Sequence, residues 1–167
     1  MRYITIAILI IIGHAEASSQ IKTKVVSDSC IKPYHDYKYL TCNKIKFTVN
    51  KKEFFVPASF ETDLASIPKI VWPIMGPAHS KLINPAIIHD WLYRKTCDFS
   101  RFQADLIFYS MLKSNGVSEL RASIMYYAVR IFGWNYYNED YCEEEYKDLD
   151  KEPRSSQISY LMQLEED

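Results

Sequence analysis

Glycine is scarce in this chain, the cysteine motifs of zinc sites are missing, and the charges nearly cancel. The four glycines, Gly13, Gly76, Gly116 and Gly133, lie far apart, which excludes a glycine-rich loop that could offer a row of backbone carbonyls to a cation. No C-x-x-C pair occurs, so a cysteine-based zinc site is disfavoured. A formal net charge of −1 at pH 7 argues against nucleic-acid binding through bulk electrostatics.

A long apolar run occurs at the N-terminus and nowhere later. Residues 3–13 contain six isoleucines behind Met1-Arg2, and Ala15-Glu16-Ala17 has the A-x-A form of a cleavage site. This pattern is typical of a secretory signal peptide and is too short to span a membrane. We expect residues 1–17 to be removed and the mature protein to be periplasmic or secreted. A retained anchor or a buried helix is the alternative.

The chain has four cysteines, and an even number in an exported protein indicates disulfides. Four cysteines allow three connectivities. We favour Cys30–Cys42, which would close a local loop or hairpin, and Cys97–Cys142, which would tie a turn between helices to the C-terminal arm.

Short strands are predicted in the N-terminal half. Residues 44–49 alternate polar with apolar side chains, the pattern of a half-buried strand, and residues 37–42 and 53–57 flank them. With a turn at residues 50–52, these segments predict a small antiparallel sheet. Residues 58–80, which hold three prolines and a glycine, predict a long irregular loop of the kind that often serves function.

Three helices are predicted next. Asn84 and Pro85 suit the N-cap and first position of a helix that runs to about Lys95. A capping box at Ser100 begins the second helix, which ends at Asn115-Gly116. The third begins after Ser118, ends at Gly133, and carries an apolar stripe of Leu120, Ile124, Tyr127, Ala128 and Ile131.

The predicted fold is therefore α+β, with a small antiparallel sheet followed by an antiparallel helix pair and a third helix, stapled by disulfides. Its single domain covers residues 18–152. Residues 153–167 form a C-terminal tail, in which residues 158–164 either add one amphipathic helix or are disordered.

Polar residues recur where the first two helices are otherwise apolar. His89 and Tyr93 are four apart and share a helix face, while Asp90 points about 100° away. Asp105 lies in the next helix, where a buried acid is costly unless it is paired or binds a cation. A short turn would bring Asp105 against the His89 ring. We interpret the group as a hydrolytic site made of a base, an orienting carboxylate and a metal ligand. The alternative is a structural ion-pair network with Arg94, Arg101, Arg121 or Arg130.

His89-Asp90-x-x-Tyr93 followed by Ala104-Asp105-x-x-Phe108 resembles the active-site helix pair of secreted phospholipase A2, most closely its bacterial and fungal branch, over about residues 84–133. The resemblance implies that His89 is the general base, that Asp105 fixes the His89 tautomer and that Tyr93 hydrogen-bonds Asp105. It also implies that Asp90 supplies oxygens to a calcium ion that polarises the ester carbonyl.

Two departures from that family concern a disulfide and the calcium loop. Leu92 stands where the animal enzymes have a cysteine, and the glycine-rich loop is missing. Residues 62–66 are the expected substitute, with Asp63 as the second calcium ligand. The alternative is that Asp63 is a turn or cap residue and that Thr62 and Ser66 satisfy local backbone.

Four segments in order, at residues 56–68, 89–93, 100–105 and 127–133, resemble domain of unknown function family 1353. That family is found mainly in bacteriophages and prophages, and the resemblance covers about residues 36–134. It implies a phage or prophage origin and supplies no activity.

Together these patterns favour an exported phage-type protein that hydrolyses phospholipid or a similar ester at a membrane surface, assisted by calcium. One alternative is a non-catalytic phage or prophage envelope or superinfection-exclusion protein on the same scaffold. Another is a cell-wall hydrolase with Asp63, His89 and Asp90 around zinc. The sequence has no third well-spaced histidine for such a site, which weakens this alternative. Catalysis requires one His89 nitrogen to face Asp105 and the other to face a cleft.

Overall fold

The computed structural model describes residues 21–36, 38–64, 79–94, 99–137 and 153–164. In these residues, two small antiparallel sheets precede four α-helices, so the fold is α+β as predicted. The predicted signal peptide and the predicted Cys97–Cys142 pair lie outside the described residues. No helix in the described ranges combines the length and apolar character needed to cross a membrane.

The first sheet has the order β1-β4-β5 and the second the order β2-β3-β6. Their strands are β1 (Thr23–Val25), β2 (Ile31–His35), β3 (Lys38–Thr41), β4 (Ile45–Val49), β5 (Lys52–Val56) and β6 (Glu61–Thr62). The sequence predicted one sheet from the segments that became β3, β4 and β5. Instead β3 pairs with β2 and β6, and β1 takes its place beside β4. A three-residue strand such as β1 is too short to show a period-two pattern.

The β4–β5 hairpin supplies two of the three strands of the first sheet. Asn50 and Lys51 have φ of 46° and 79°, the signs that a type I′ turn requires at both central positions. The tight turn fixes the register of Val49 opposite Lys52, so alternate side chains face the core, among them Ile45, Phe47, Val49, Phe54 and Val56.

The predicted Cys30–Cys42 disulfide is present, with the two Cα atoms 5.1 Å apart. The backbone N–H of Cys42 also donates to the carbonyl of Cys30 at 2.8 Å. The disulfide therefore closes the β2–β3 hairpin at its open end, as expected for a local loop.

The helices are α1 (His79–Arg94), α2 (Arg101–Ser114), α3 (Glu119–Phe132) and α4 (Arg154–Met162), and a 3-10 helix (Gly133–Asn135) follows α3. The prediction that α1 begins at Asn84 was wrong, because Pro85 lies inside the helix. Proline has no N–H to give to the carbonyl four residues earlier. The side-chain amide of Asn115 donates to that carbonyl, Lys81 O, at 3.1 Å.

Helices α1 and α2 are antiparallel. Lys81, near the start of α1, contacts Asn115 and Gly116 beyond the end of α2, whereas Tyr93, near the end of α1, contacts Asp105 in the second turn of α2. The predicted capping box of Ser100 and Gln103 starts α2. Trp91 of α1 meets Phe47 of the sheet edge to face, with ring centroids 5.8 Å apart.

Part of the predicted C-terminal tail is integrated in this core as α4. The side-chain amide of Gln103 donates to the backbone carbonyl of Gln157 at 2.8 Å, and the Ser100 hydroxyl donates to the Gln157 side chain. Leu161 and Leu164 are buried. The segment forms a helix, but that helix runs from Arg154 to Met162 and so begins four residues before the predicted start at residue 158.

Helix α3 packs on α2 with a face that shares only Ala128 with the apolar stripe noted in the sequence. Its buried apolar residues are Ala122, Met125, Tyr126, Ala128 and Val129. The ends of the noted stripe, Leu120 and Ile131, are 71% and 64% exposed. The two apolar stripes of α3 overlap at Ala128, and periodicity alone does not rank them.

Candidate functional site

The structure brings the predicted histidine, aspartate and tyrosine together. His89 Nε2 lies 2.8 Å from Asp105 Oδ1, and the Tyr93 hydroxyl donates to the same oxygen at 2.6 Å. His89 and Tyr93 are one turn apart on α1, and the antiparallel α2 places Asp105 opposite both. Burial and then the Asp105 charge raise the pKa of Tyr93, so its hydroxyl remains a donor.

The second oxygen of Asp105 is held by α3. Arg130 Nη1 donates to Asp105 Oδ2 at 2.7 Å, and the Asp105 side chain is completely buried. Burial lowers the pKa of Arg130. The charge of Asp105 and the hydrogen bond to it raise that pKa by a larger amount together, so the net shift is upward. Both oxygens of the carboxylate are therefore satisfied by donors, one from a formal ion pair. Arg130 was one of four candidate partners in the sequence, and spacing could not select it.

The His89 ring is enclosed. The Tyr93 ring lies 4.1 Å and the Phe108 ring 4.7 Å from it, centroid to centroid, and the His89 side chain is only 3% exposed. The other nitrogen, Nδ1, hydrogen-bonds to none of the described residues. The His89 ring is therefore largely buried among the described residues, and Nδ1 is the nitrogen left for a reactant.

Asp90 follows His89 in α1, but its side chain points away from the His89 ring and toward β6, as predicted from the helical repeat. The Thr62 hydroxyl donates to Asp90 Oδ2 at 2.5 Å and accepts from the Leu64 N–H at 3.1 Å. Arg94 Nη2 approaches the same carboxylate oxygen to 3.6 Å. Burial, and next the charge of Asp63, raise the pKa of Asp90 to about 6.

The donors around Asp90 fit a hard cation in part. The charge of Asp63 raises the pKa of Asp90, a repulsion that a divalent ion would relieve. Carboxylate and hydroxyl oxygens are ligands that calcium prefers. Within the described ranges, no group of three or more His, Cys, Asp or Glu side chains converges on one point. A complete calcium shell there would need backbone carbonyls or water.

Two residues around the site were not recognised as site residues in the sequence. The buried guanidinium of Arg101 donates to the carbonyl of Arg130 at 3.2 Å and stacks on Trp134 at 4.0 Å, so it holds the end of α3 that carries Arg130. Gly133 packs against the Tyr93 hydroxyl. An arginine in the first turn of an apolar helix and a glycine directly after a helix are common, and neither pattern identifies a contact.

Gly133→Ala should disturb the site through Tyr93. A Cβ at residue 133 would lie 2.7 Å from the Tyr93 hydroxyl and 3.2 Å from its ring carbon Cε2. The backbone φ of Gly133 is −75°, which any residue can adopt. The strain in the variant therefore comes only from the contact between the new Cβ and Tyr93. We expect a loss of about 1–3 kcal/mol in the free energy of unfolding, measured by urea denaturation.

The matched control is the same change in a Tyr93→Phe chain, where the clashing hydroxyl is gone. The two substitutions should couple by roughly 1 kcal/mol in a double-mutant cycle. Strictly additive losses would show that Gly133 does not restrain Tyr93.

Comparison with known proteins places these residues in one family region. A family model described as "Protein of unknown function (DUF1353)" matches residues 35–129, more than half of the chain. The match includes His89, Asp90, Tyr93 and Asp105. No solved structure matches the chain.

Two uncharacterized proteins of Sinorhizobium fredii (strain NBRC 101917 / NGR234) are similar. Protein y4iH is 30% identical over 104 residues, which are 60% of this chain and 40% of that protein. Protein y4jT is 33% identical over 79 residues, 47% of this chain and 23% of that protein. The chain thus spans less than half the length of these curated relatives. With the family model covering both sheets' central strands and the helices that hold the site, the chain belongs to the DUF1353 family of proteins of unknown function.

Proposed function

We propose that this protein hydrolyses phospholipid or a similar ester, with His89 as general base and Asp105 as the group that orients it. The supporting observation is the contact of 2.8 Å between His89 Nε2 and Asp105 Oδ1. The Tyr93 hydroxyl donates to the same oxygen at 2.6 Å. A carboxylate in this position stabilises the tautomer with the proton on Nε2. Nδ1 then carries the lone pair that a general base needs. The likeness of this helix pair to bacterial and fungal phospholipase A2 is part of the same proposal.

The reaction follows from that tautomer. Nδ1 takes a proton from water as the water oxygen bonds to the ester carbonyl carbon, and Asp105 stabilises the resulting imidazolium. Collapse of the tetrahedral intermediate breaks the bond to the alcohol oxygen, which receives the proton from Nδ1. The products are a carboxylic acid and an alcohol. Because the His89 side chain is only 3% exposed, an ester reaches Nδ1 in this proposal only when the neighbouring side chains move aside.

Asp90 and Asp63, with the Thr62 hydroxyl, are the residues that would hold calcium in this proposal. Calcium at these oxygens would polarise the ester carbonyl and neutralise developing negative charge. Burial and, next, the charge of Asp63 raise the pKa of Asp90 to about 6, and a bound cation would relieve the second of these two effects.

The cellular setting of the proposal comes from the sequence. The A-x-A pattern at Ala15-Glu16-Ala17 supports export to the periplasm or beyond, and the proposed phage or prophage origin supports envelope damage at lysis or entry. Export is tested by N-terminal sequencing of protein recovered from the periplasm, which should begin at Ser18.

His89→Gln should abolish ester hydrolysis. We expect fatty-acid release from mixed phospholipid vesicles to fall by about 10²–10⁴-fold, the contribution of a general base, and release by the native chain to fall when calcium is chelated. His35→Gln is the matched control, because His35 is exposed on β2. Equal fatty-acid release by the native chain and by His89→Gln would rule out the proposed hydrolase.

A second candidate is a non-catalytic envelope or exclusion protein that uses the same helices as a scaffold. The enclosure of His89 and the ion pair between Asp105 and Arg130 favour it. In that case the native chain releases no fatty acid, while His89→Leu still lowers the melting temperature because it leaves Asp105 without one donor.

A further inference from the structure

An apolar stripe on α3 is partly exposed in the part of the chain that the structure describes. We define the α3 stripe as Leu120, Ile124, Tyr127 and Ile131. Its two ends are 71% and 64% exposed, and its two middle residues pack only partly against the core. Three more exposed aromatic residues lie at the end of α3 and just after it: Phe132, Trp134 and Tyr136.

The spacing of the α3 stripe is the same in both directions along the helix. Steps of four, three and four residues separate its members, the spacing of a coiled-coil seam. In an antiparallel pair about a two-fold axis, Leu120 would lie opposite Ile131 and Ile124 opposite Tyr127. A two-fold interface must be self-complementary in this way. We propose that two copies of this chain pair through the α3 stripe as an antiparallel dimer.

The exposed apolar side chains bring such a dimer to about the lower limit of specific interfaces, roughly 1,000 Å² in total. A standard interface buries about 800 Å² on each partner. Five large side chains that are each at least half exposed, Leu120, Ile131, Phe132, Trp134 and Tyr136, supply on the order of 500 Å² of it, since an aromatic side chain alone presents roughly 150–250 Å². The flanking polar groups would form the rim.

The charges beside the stripe permit this pairing. The two-fold arrangement sets Arg121 opposite Arg130, but Arg130 is already neutralised by Asp105 at 2.7 Å. Glu119 is held within its own chain by Lys113 and by the Tyr109 hydroxyl. The pairing therefore brings no uncompensated pair of like charges into the centre of the interface.

The same helix completes the candidate site, because Arg130 contacts Asp105 and Gly133 contacts Tyr93. Dimer formation would thus restrain α3, the helix that supplies these contacts to the site. The dimer does not depend on hydrolysis and stands or fails separately from it.

Sedimentation equilibrium of the purified chain tests the dimer. We expect the native chain to be dimeric and Leu120→Lys to raise the dimer dissociation constant at least tenfold. Val26→Lys, at an apolar residue of 48% exposure outside the stripe, should leave it unchanged. Circular dichroism and melting curves check that each variant is folded. A native chain that stays monomeric at all concentrations would overturn the dimer.

A charge swap tests the register. In the predicted pairing, the double variant Leu120→Lys with Ile131→Glu sets each lysine opposite a partner glutamate, so dimerisation should recover relative to Leu120→Lys alone. Leu120→Lys with Ile131→Lys should remain monomeric. Within one chain these positions are about 16 Å apart along the helix axis, too far to pair. Equal behaviour of both double variants, or a monomer whose stripe instead binds phosphatidylcholine vesicles, would refute the proposal.

Discussion

Asp105→Asn should lower the free energy of unfolding by about 3–5 kcal/mol, the cost of removing one partner from a buried ion pair. The carboxylate accepts from His89, Tyr93 and Arg130 while completely buried. An amide has one oxygen and one NH₂ group. If the oxygen serves His89 and Tyr93, the NH₂ group faces the guanidinium of Arg130, donor against donor, and the arginine charge is uncompensated.

Urea denaturation at pH 7, monitored by tryptophan fluorescence, measures this loss. The matched control is Glu61→Gln, which removes the carboxylate of an exposed ion pair with Lys38 at 2.5 Å. That control should lose less than about 1 kcal/mol, because exposed pairs are screened by water.

A double variant separates the ion pair from the histidine contact. Asp105→Asn with Arg130→Met removes the unpaired guanidinium, and it should recover at least about 1 kcal/mol of the loss, since replacing both partners is cheaper than orphaning one. No recovery would show that Arg130 is not the group left unsatisfied.

The convergence of His89, Tyr93 and Asp105 was predictable because it rests on local geometry. A four-residue spacing sets two side chains on one helix face, and a short inter-helix connection makes the two helices antiparallel neighbours. Asp105 in an apolar helix needed a partner, and these rules left few positions for it. The capping box at Ser100 was equally local.

Features that depend on tertiary contacts could not be read in the same way. Pro85 looked like a helix start, but Asn115 from another helix satisfies the carbonyl that proline leaves free. Which arginine would pair with Asp105 depended on the rotation of α3 about its axis. Since α3 has two apolar stripes, the sequence did not fix that rotation, and the same ambiguity concealed the exposed stripe.

The low exposure of the His89 side chain was not predicted from the sequence. Spacing predicts which residues meet, whereas exposure depends on how the rings of Tyr93 and Phe108 fill the space around them. The access that the proposed hydrolase needs to Nδ1 is therefore a property that no sequence pattern describes.

Asp90→Asn should stabilise the protein at neutral pH in the absence of calcium, by up to about 3 kcal/mol. Burial and the Asp63 charge raise the pKa of Asp90 from its ordinary 3.8 to about 6. The folded state therefore binds this proton more tightly than the unfolded state. The resulting stability is fully present below pH 3.8 and is lost as the pH rises through 6. Asparagine keeps an acceptor for the Thr62 hydroxyl without the buried charge.

Urea denaturation in chelator across pH 4 to pH 8 checks both the size and the sign. The stability advantage of Asp90→Asn should grow as the pH rises from about 4 to about 6 and then level off, because above that range the native Asp90 is ionised in both states. Asp28→Asn, at an exposed position, should show a flat difference. Millimolar calcium should then stabilise the native chain and leave Asp90→Asn unaffected, since an ion that binds only the folded state shifts the unfolding equilibrium. If the pH effect appears without any calcium effect, Asp90 is a buried acid that needs no metal, and the calcium part of the proposed mechanism is wrong while the His89–Asp105 pair stands.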